Sequence, residues 1–292
     1  MPSPDPKPLL VVDTPSMLYR AFYGLPKSIV GVGRRPVNAL LGTANLILRE
    51  VAEHNPRAVV LCFGADAATY RTELYPPYHA ARPPMPDLLV EQWDDAPQFF
   101  AEFDWLIAEH DSLEADDLLG SLARLEAEAG GRALLMSGDR DMFQCASESV
   151  TILYVSTGGK AGGEPIGPAE VRERYGVGPE LVPDFIALRG DPSDGLPGAK
   201  GVGEKTAAEL LRAHGSLEGV LEAAIGERRE KLRLSLLGAR EELLAFKEIA
   251  TVRDGGLERP PDRATDYERA AKAAEARGIN RLAARLRENL GK

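Results

Sequence analysis

The stretch from Leu113 to Asp141 constrains the fold more than any other part of this chain. It opens on Leu113-Glu114-Ala115-Asp116-Asp117, keeps a helical pattern to about Gly130, and enters the apolar run Ala133-Leu134-Leu135-Met136. It closes on Ser137-Gly138-Asp139-Arg140-Asp141. A helix followed by a short, wholly apolar run reads as helix and buried parallel strand. In open α/β sheets ligands collect at the carboxyl ends of strands, where Asp139 and Asp141 fall. So many carboxylates in one neighbourhood repel each other unless cations neutralise them. The stretch therefore predicts a parallel α/β sheet with a divalent-metal site at one end.

The flanking sequence extends that sheet. Leu9-Leu10-Val11-Val12 ends on Asp13, and the run from Ala58 to Phe63 ends in Gly64-Ala65-Asp66. Both predict buried strands. Asp13 stands where a metal ligand belongs and equally where a cap of the following helix belongs. Asn38 to Ala52 is amphipathic, and Asp87 to His110 is helical in pattern, with Trp93, Phe99, Phe100, Phe103 and Trp105 for packing. Between them, Tyr70 to Pro84 mixes basic, aromatic and proline residues, Arg71 and Tyr78 included. Such a mixture suits a phosphate backbone and stacked bases, and also an ordinary proline-stiffened loop.

After Asp141 come a short helix, a strand at Val150 to Val155 and the turn or linker Gly158 to Gly163. Helical patterns follow at Lys205 to His214, Leu217 to Ala224, Glu230 to Ala250 and Tyr267 to Leu290. The expectation is an α/β domain over 1–165 and a helical domain over 166–292.

Composition narrows the chemistry. Apolar residues make up 44% of the 292 and charged residues 27%, the balance of a globular chain with ample core. A net charge of −10 argues against nucleic acid only if the acids are spread evenly, since clustering in a metal pocket leaves the remaining surface free to attract phosphates. Cys62 and Cys145 match no zinc spacing and read as buried thiols in a reducing compartment. His54, His79, His110 and His214 neither pair at metal spacing nor neighbour a Gly-flanked serine, which disfavours zinc chemistry and acyl transfer. With no signal-like segment and no membrane span, the expected location is the cytoplasm.

Each acid also has a plain structural reading. Glu114, Asp116 and Asp117 follow Ser112 as helix-start electrostatics would. Asp139 and Asp141 could cap the helix holding Met142 and Phe143, and Asp191 and Asp194 could shape a Gly/Pro turn. Together they point elsewhere, because Asp13, Asp139 and Asp141 all close strands of one sheet. Oxygen-only clusters suit Mg²⁺ or Mn²⁺, and two such ions about 4 Å apart act on phosphodiesters. Gly198-Ala-Lys-Gly-Val-Gly-Glu-Lys-Thr departs from a P-loop, because Glu204 precedes Lys205 and a helix precedes the turn. A Gly-rich turn opening a helix still offers N–H groups and, here, Lys200 and Lys205 to an anion such as duplex phosphate.

The set Val11-Val12-Asp13, Leu18-Tyr19-Arg20-Ala21-Phe22, Arg82-Pro83-Pro84-Met85-Pro86, Glu114-Ala115-Asp116-Asp117, Gly138-Asp139-Arg140-Asp141, Gly190-Asp191-Pro192-Ser193-Asp194 and Gly201-Val202-Gly203-Glu204-Lys205-Thr206 resembles the 5′-nuclease family. It is similar to the 5′–3′ exonuclease domain of bacterial DNA polymerase I and to flap endonucleases, over roughly Leu9 to Ala250. The resemblance implies a PIN-like domain with a helical arch near 83–110, then a helical domain with a helix–hairpin–helix-type turn. It implies a two-ion Mg²⁺ or Mn²⁺ site at Asp13, Glu114, Asp116, Asp117, Asp139, Asp141, Asp191 and Asp194. Arg82 and Arg20 match residues that contact the scissile phosphate, and Tyr78 an aromatic that stacks on an unpaired base. Gly201, Gly203 and Lys205 belong to a duplex-gripping turn that holds a monovalent cation in relatives, so K⁺ is a candidate there.

Two departures stand out. Gly64 occupies a position where the family has Asp, with Asp66 two residues on. His79 stands where a catalytic Lys precedes the Arg-Pro-Pro run, which would make that charge pH-dependent. The implied activity is metal-dependent cleavage of branched or 5′-ended duplex DNA in replication or repair, by a monomer without membrane contact or attached polymerase. A degenerate member that binds branched DNA without cutting is the alternative, and an RNA-cleaving PIN enzyme would leave the duplex-binding turn without a purpose.

Overall fold

A computed structural model describes residues 7–156 and 162–289. At its centre β1 (Leu9–Asp13) pairs in parallel with β2 (Ala58–Phe63) on one side and β4 (Ala133–Ser137) on the other. β3 (Leu106–Glu109) lies outside β2 and β5 (Val150–Tyr154) outside β4, both parallel. β6 (Glu164–Ile166) closes that side antiparallel to β5, so the sheet is mixed and mostly parallel, in the order β3-β2-β1-β4-β5-β6. β1, β2 and β4 are apolar on both faces because both faces are covered.

Alternation along β1 sorts the core. Leu9 and Val11 face one layer, Leu10 and Val12 the other. The Leu10 side is covered by α1 (Thr14–Gly24), α2 (Asn38–His54) and α4 (Asp87–Ala101). The Leu9 side is covered by α5 (Ala115–Glu128) and by a helical block built from α6 (Pro168–Tyr175), α7 (Val182–Arg189), α8 (Glu204–His214), α9 (Leu217–Ala223), α10 (Glu230–Gly238) and α11 (Arg240–Ala250). The short α3 (Thr69–Leu74) packs against α11. Chain order reverses between β1 and β4, the switch point at which such sheets leave a crevice for ligand.

Three details differ from the sequence reading. The chain does not end in the helical block. After Ala250 it crosses the molecule in extended form, and α12 (Tyr267–Ala276) and α13 (Asn280–Glu288) complete the Leu10-side core. A boundary at 165/166 therefore misses the packing, because Ala270, Ala274 and Leu282 supply apolar surface that this sheet face needs. Within the stretch expected as an arch, Leu89, Gln92, Phe99, Phe100, Phe103 and Trp105 are buried, and Leu106–Glu109 is an edge strand. What stands over the crevice is the irregular run from Arg82 to Met85. The two long C-terminal helical patterns are each broken in two, at Ala239 and at Gly278, and Leu290 falls outside the described residues. Most of the Gly158 to Gly163 turn also lies outside them.

Candidate active site at the carboxyl ends of β1 and β4

Asp13 ends β1 and caps the helix that follows. One carboxylate oxygen accepts the Ser16 N–H at 3.0 Å, capping α1, and the other accepts the Ser137 hydroxyl from the end of β4 at 2.6 Å. Ser137 Oγ in turn accepts the Asp139 N–H at 3.0 Å, and Asp139 accepts the Asp141 N–H at 2.9 Å. The Asp139 carboxylate thereby holds the backbone that enters the 3₁₀ turn Asp141–Cys145, whose N-cap is Arg140, while lining a cleft of about 640 Å³. Asp13, Glu114 and Asp116 line the same cleft.

The electrostatics fit a cation. Burial, then the charges of Asp13 and Asp139, push Asp116 well above the usual carboxylate range. Burial and the charges of Asp139, Asp194 and Asp191 do the same to Asp141. Asp139 is pushed up to about 6 by burial and by Asp194. Among the described residues the Asp116 and Asp141 carboxylates receive no hydrogen bond, so their oxygens are free to bind an ion. An all-oxygen set of this kind is the donor chemistry of Mg²⁺ and Mn²⁺.

Asp117 departs from the expected ligand set. It is fully buried on the far side of α5, gripped by Arg71 through two bonds of 3.1 and 2.9 Å, and it accepts the Glu114 and Arg253 N–H groups. The reason is position. Glu114, not Ser112, is the N-cap of α5, and Asp117, three residues on, returns to the Glu114 N–H as a capping box, facing away from Asp116. Arg71 departs likewise from its expected DNA contact. It is 3% exposed and its guanidinium is enclosed by Glu114, Asp117 and the Ile249 carbonyl.

Tyr78 and His79 are also held. The Tyr78 hydroxyl donates to Glu114 at 3.0 Å, its ring stacks on His79 at 3.7 Å, and burial to 5% exposure leaves no face for a base. His79 contacts the Asp66 carbonyl at 2.9 Å and Asp194 at 3.2 Å, so the ring fixes Asp194 rather than reaching for a phosphate. Burial opposes ionisation of Asp194, yet the bond to His79 and the charges of His79 and Arg82 hold its carboxyl below the usual range. Arg82 reaches Asp194 at 3.1 Å and keeps 40% of its side chain exposed at the rim. Asp191 pairs with Arg189 and receives the Ser193 N–H, shaping the turn it was expected to shape. Arg20 donates to the Gly138 carbonyl at 3.0 Å, and a Cβ at Gly138 would fall inside its guanidinium.

Gly64 also has a steric explanation. A Cβ there would come within 2.4 Å of the Ala115 nitrogen and 2.6 Å of the Leu113 oxygen. The backbone that starts α5 has closed onto the end of β2, tied by the Ala65 N–H to Leu113 O bond of 2.9 Å. Asp66 lines the cleft with an exposed side chain. Lys200, Gly201, Gly203 and Lys205 lie exposed around the uncapped N-terminus of α8, outside the cleft.

Sequence reasoning missed several residues in or beneath the cleft. Ser16 and Ser137 bind Asp13 and its neighbours, and Tyr19 and Trp93 line the wall with their rings 6.1 Å apart. The signal for Tyr19 was present, since Ser16, Tyr19 and Arg20 share one face of the helix that Asp13 opens. Trp93 gave none, because an aromatic in a helical pattern reads as core.

Comparison with known proteins agrees with this architecture. The family pattern "5′-3′ exonuclease, N-terminal resolvase-like domain" matches residues 8–176, and "5′-3′ exonuclease, C-terminal SAM fold" matches 177–265. The chain is 36% identical over 313 aligned positions to a 5′-3′ exonuclease of Mycobacterium tuberculosis, covering 97% of this chain and 98% of that one. It is also 36% identical over 247 positions to DNA polymerase I of Bacillus caldotenax, covering 85% of this chain and only 28% of the polymerase. Among solved structures, a bacteriophage T5 flap endonuclease in a pseudo-enzyme-product complex with DNA and metal ions superposes with a TM-score of 0.69 at 17% identity, covering 96% of this chain and 98% of that one.

Proposed function

The chain belongs to the 5′–3′ exonuclease family of DNA hydrolases, and from that premise we propose that it cuts phosphodiesters at 5′ flaps, nicks or free 5′ ends, leaving 5′-phosphate and 3′-hydroxyl products. The observation that carries this reading is the gathering of Asp13, Asp116 and Asp139 along one cleft with Asp141 beside them, carboxyls pushed up by burial and, at Asp116, Asp139 and Asp141, by neighbouring carboxylates. Such a set costs stability until cations neutralise it.

Asp13, Asp116, Asp139 and Asp141, with Glu114 and the neighbouring Asp191 and Asp194, would hold two Mg²⁺ or Mn²⁺ ions. Divalent cations at such a site supply Lewis acidity toward the phosphodiester and lower the pKa of water. The chain's own residues do the rest. Arg82 at the rim meets the phosphate through a forked donor that suits its oxygens. Tyr19 and Trp93 offer rings to unpaired bases on the cleft wall. Lys200, Lys205 and the uncapped start of α8 take duplex phosphates without reading sequence.

A 5′-labelled flap tests the reading. Release of labelled product with Mg²⁺ or Mn²⁺, and none with a chelator, is expected. Tight binding of the flap with no cleavage under any divalent ion would instead favour a branched-DNA binder, and faster cleavage of a matched RNA flap would favour an RNA-cutting enzyme.

A further inference from the structure

Arg71 is enclosed where α3, the start of α5 and the end of α11 meet. It stands on α3, its Nε donates to the Ile249 carbonyl at the end of α11 at 2.8 Å, and its terminal nitrogens hold Asp117 and, at 2.9 Å, Glu114. Asp117 then accepts the Arg253 N–H at 2.8 Å, on the extended segment that leaves the helical block. Arg253 lays its guanidinium over the Tyr70 ring at 3.4 Å, and the Tyr70 hydroxyl reaches Asp117 at 3.4 Å and the Thr251 carbonyl at 3.5 Å. One guanidinium thus serves two buried carboxylates, and only Glu114 also lines the cleft. The remaining Glu114 donors, Ala68 N–H at 2.7 Å and Tyr78 hydroxyl, flank Arg71 in the chain.

We propose that Arg71 and Asp117 are positioning residues that set the Glu114 carboxylate toward the cleft and couple it to the 249–253 segment. Neither touches ion or DNA. The inference rests on the reading of Glu114 as part of the ion-binding set. The guanidinium is a planar fork, and Lys cannot replace it: an ammonium keeps the charge but cannot span two carboxylates and a carbonyl in fixed directions. Coupling is reciprocal, so an ion that restrains Glu114 must also restrain the segment at the other end of the contact chain.

Three proteins and one binding measurement test this. Mn²⁺ titration by calorimetry is run on the wild-type chain, R71K and D139N, with circular dichroism to establish that each is folded. R71K removes no carboxylate, yet its Mn²⁺ affinity is expected to fall about tenfold with D139N weaker still. Wild-type affinity in R71K, with D139N impaired, overturns the positioning role alone. Equal titrations for wild type and D139N overturn the ion site and the positioning role with it. Should R71K not fold, hydrogen exchange on the wild-type chain decides: Mn²⁺ is expected to slow exchange across 249–255 at least threefold, and unchanged exchange there overturns the coupling.

Discussion

Replacing Gly64 by Asp, the residue that the family resemblance leads one to expect there, looks from sequence like the repair of a lost ligand. The structure predicts damage. A Cβ at 64 would lie 2.4 Å from the Ala115 nitrogen and the Glu114 carbonyl carbon, where ordinary contact begins at 3.4 Å, so about 1 Å must be found. What it meets is backbone at the start of α5, which cannot swing aside as a side chain can. Overpacking of this kind costs typically 1–3 kcal/mol, and backbone contact puts Gly64→Ala near ~3 kcal/mol. At 2–4 °C per kcal/mol for a chain approaching this size, the melting temperature drops roughly 6–12 °C. Gly64→Asp adds a carboxylate beside Asp13 and Asp116 and is expected to be no more stable without metal. Because the displaced backbone carries Glu114 and Asp116, cleavage of a labelled flap should fall in both variants, at saturating Mn²⁺ as well. Melting within 2 °C of wild type together with activity at or above wild type in Gly64→Asp would refute the steric argument.

Other outcomes follow from the same geometry. Asp139, with its folded-state carboxyl at about 6 against 3.8 ordinarily, binds more protons folded than unfolded between those values. Metal-free protein should therefore lose stability as pH rises from 5 to 7, and Mn²⁺ should abolish that loss; a melting profile flat or rising over that window without metal would contradict it. Glu126 is 1% exposed and its carboxyl, despite burial, is held low by hydrogen bonds from Arg57 and Arg259. Glu126→Gln should cost about 3 kcal/mol in urea unfolding, since it removes the carboxylate that Arg57 and Arg259 share and leaves Arg57 only Asp262 and the Pro260 carbonyl. The wild-type contribution is present above pH 4.5 and lost as pH falls through the lowered value, so the difference between the two proteins should shrink in acid. Lys200→Ala and Lys205→Ala should weaken duplex binding alike on any sequence, each lowering the slope of log affinity against log salt by about 1.

The sheet was legible in the sequence because three apolar runs, Leu9 to Val12, Ala58 to Phe63 and Ala133 to Met136, each end on turn residues and leave no other use for their side chains. The acids at their carboxyl ends were legible as a cluster for the same reason. What the sequence did not separate is Asp116 from Asp117. Adjacent positions on a helix lie about 100° apart, so one enters the cleft and the other turns to Arg71, and no local pattern says which. Arg71, Tyr78 and His79 read as surface residues by composition, yet they are buried because α11 and the Asp194 turn come down on them from more than a hundred residues away. The return of α12 and α13 to the sheet was equally hidden, since an amphipathic helix announces an apolar face but not the surface it will cover.

The account stands on the claim that carboxylates from separate segments form one cation-binding set. Anomalous diffraction from crystals soaked in Mn²⁺ tests it at the atoms concerned. Manganese peaks are expected within about 2.2 Å of oxygens of Asp116 and Asp139, absent from Asp117, and lost in the Asp139→Ala, Asp141→Ala double variant, which should still bind a flap. Crystals of active protein that show no manganese at Asp13, Asp116, Asp139 or Asp141, or a double variant that still cuts, would contradict the account.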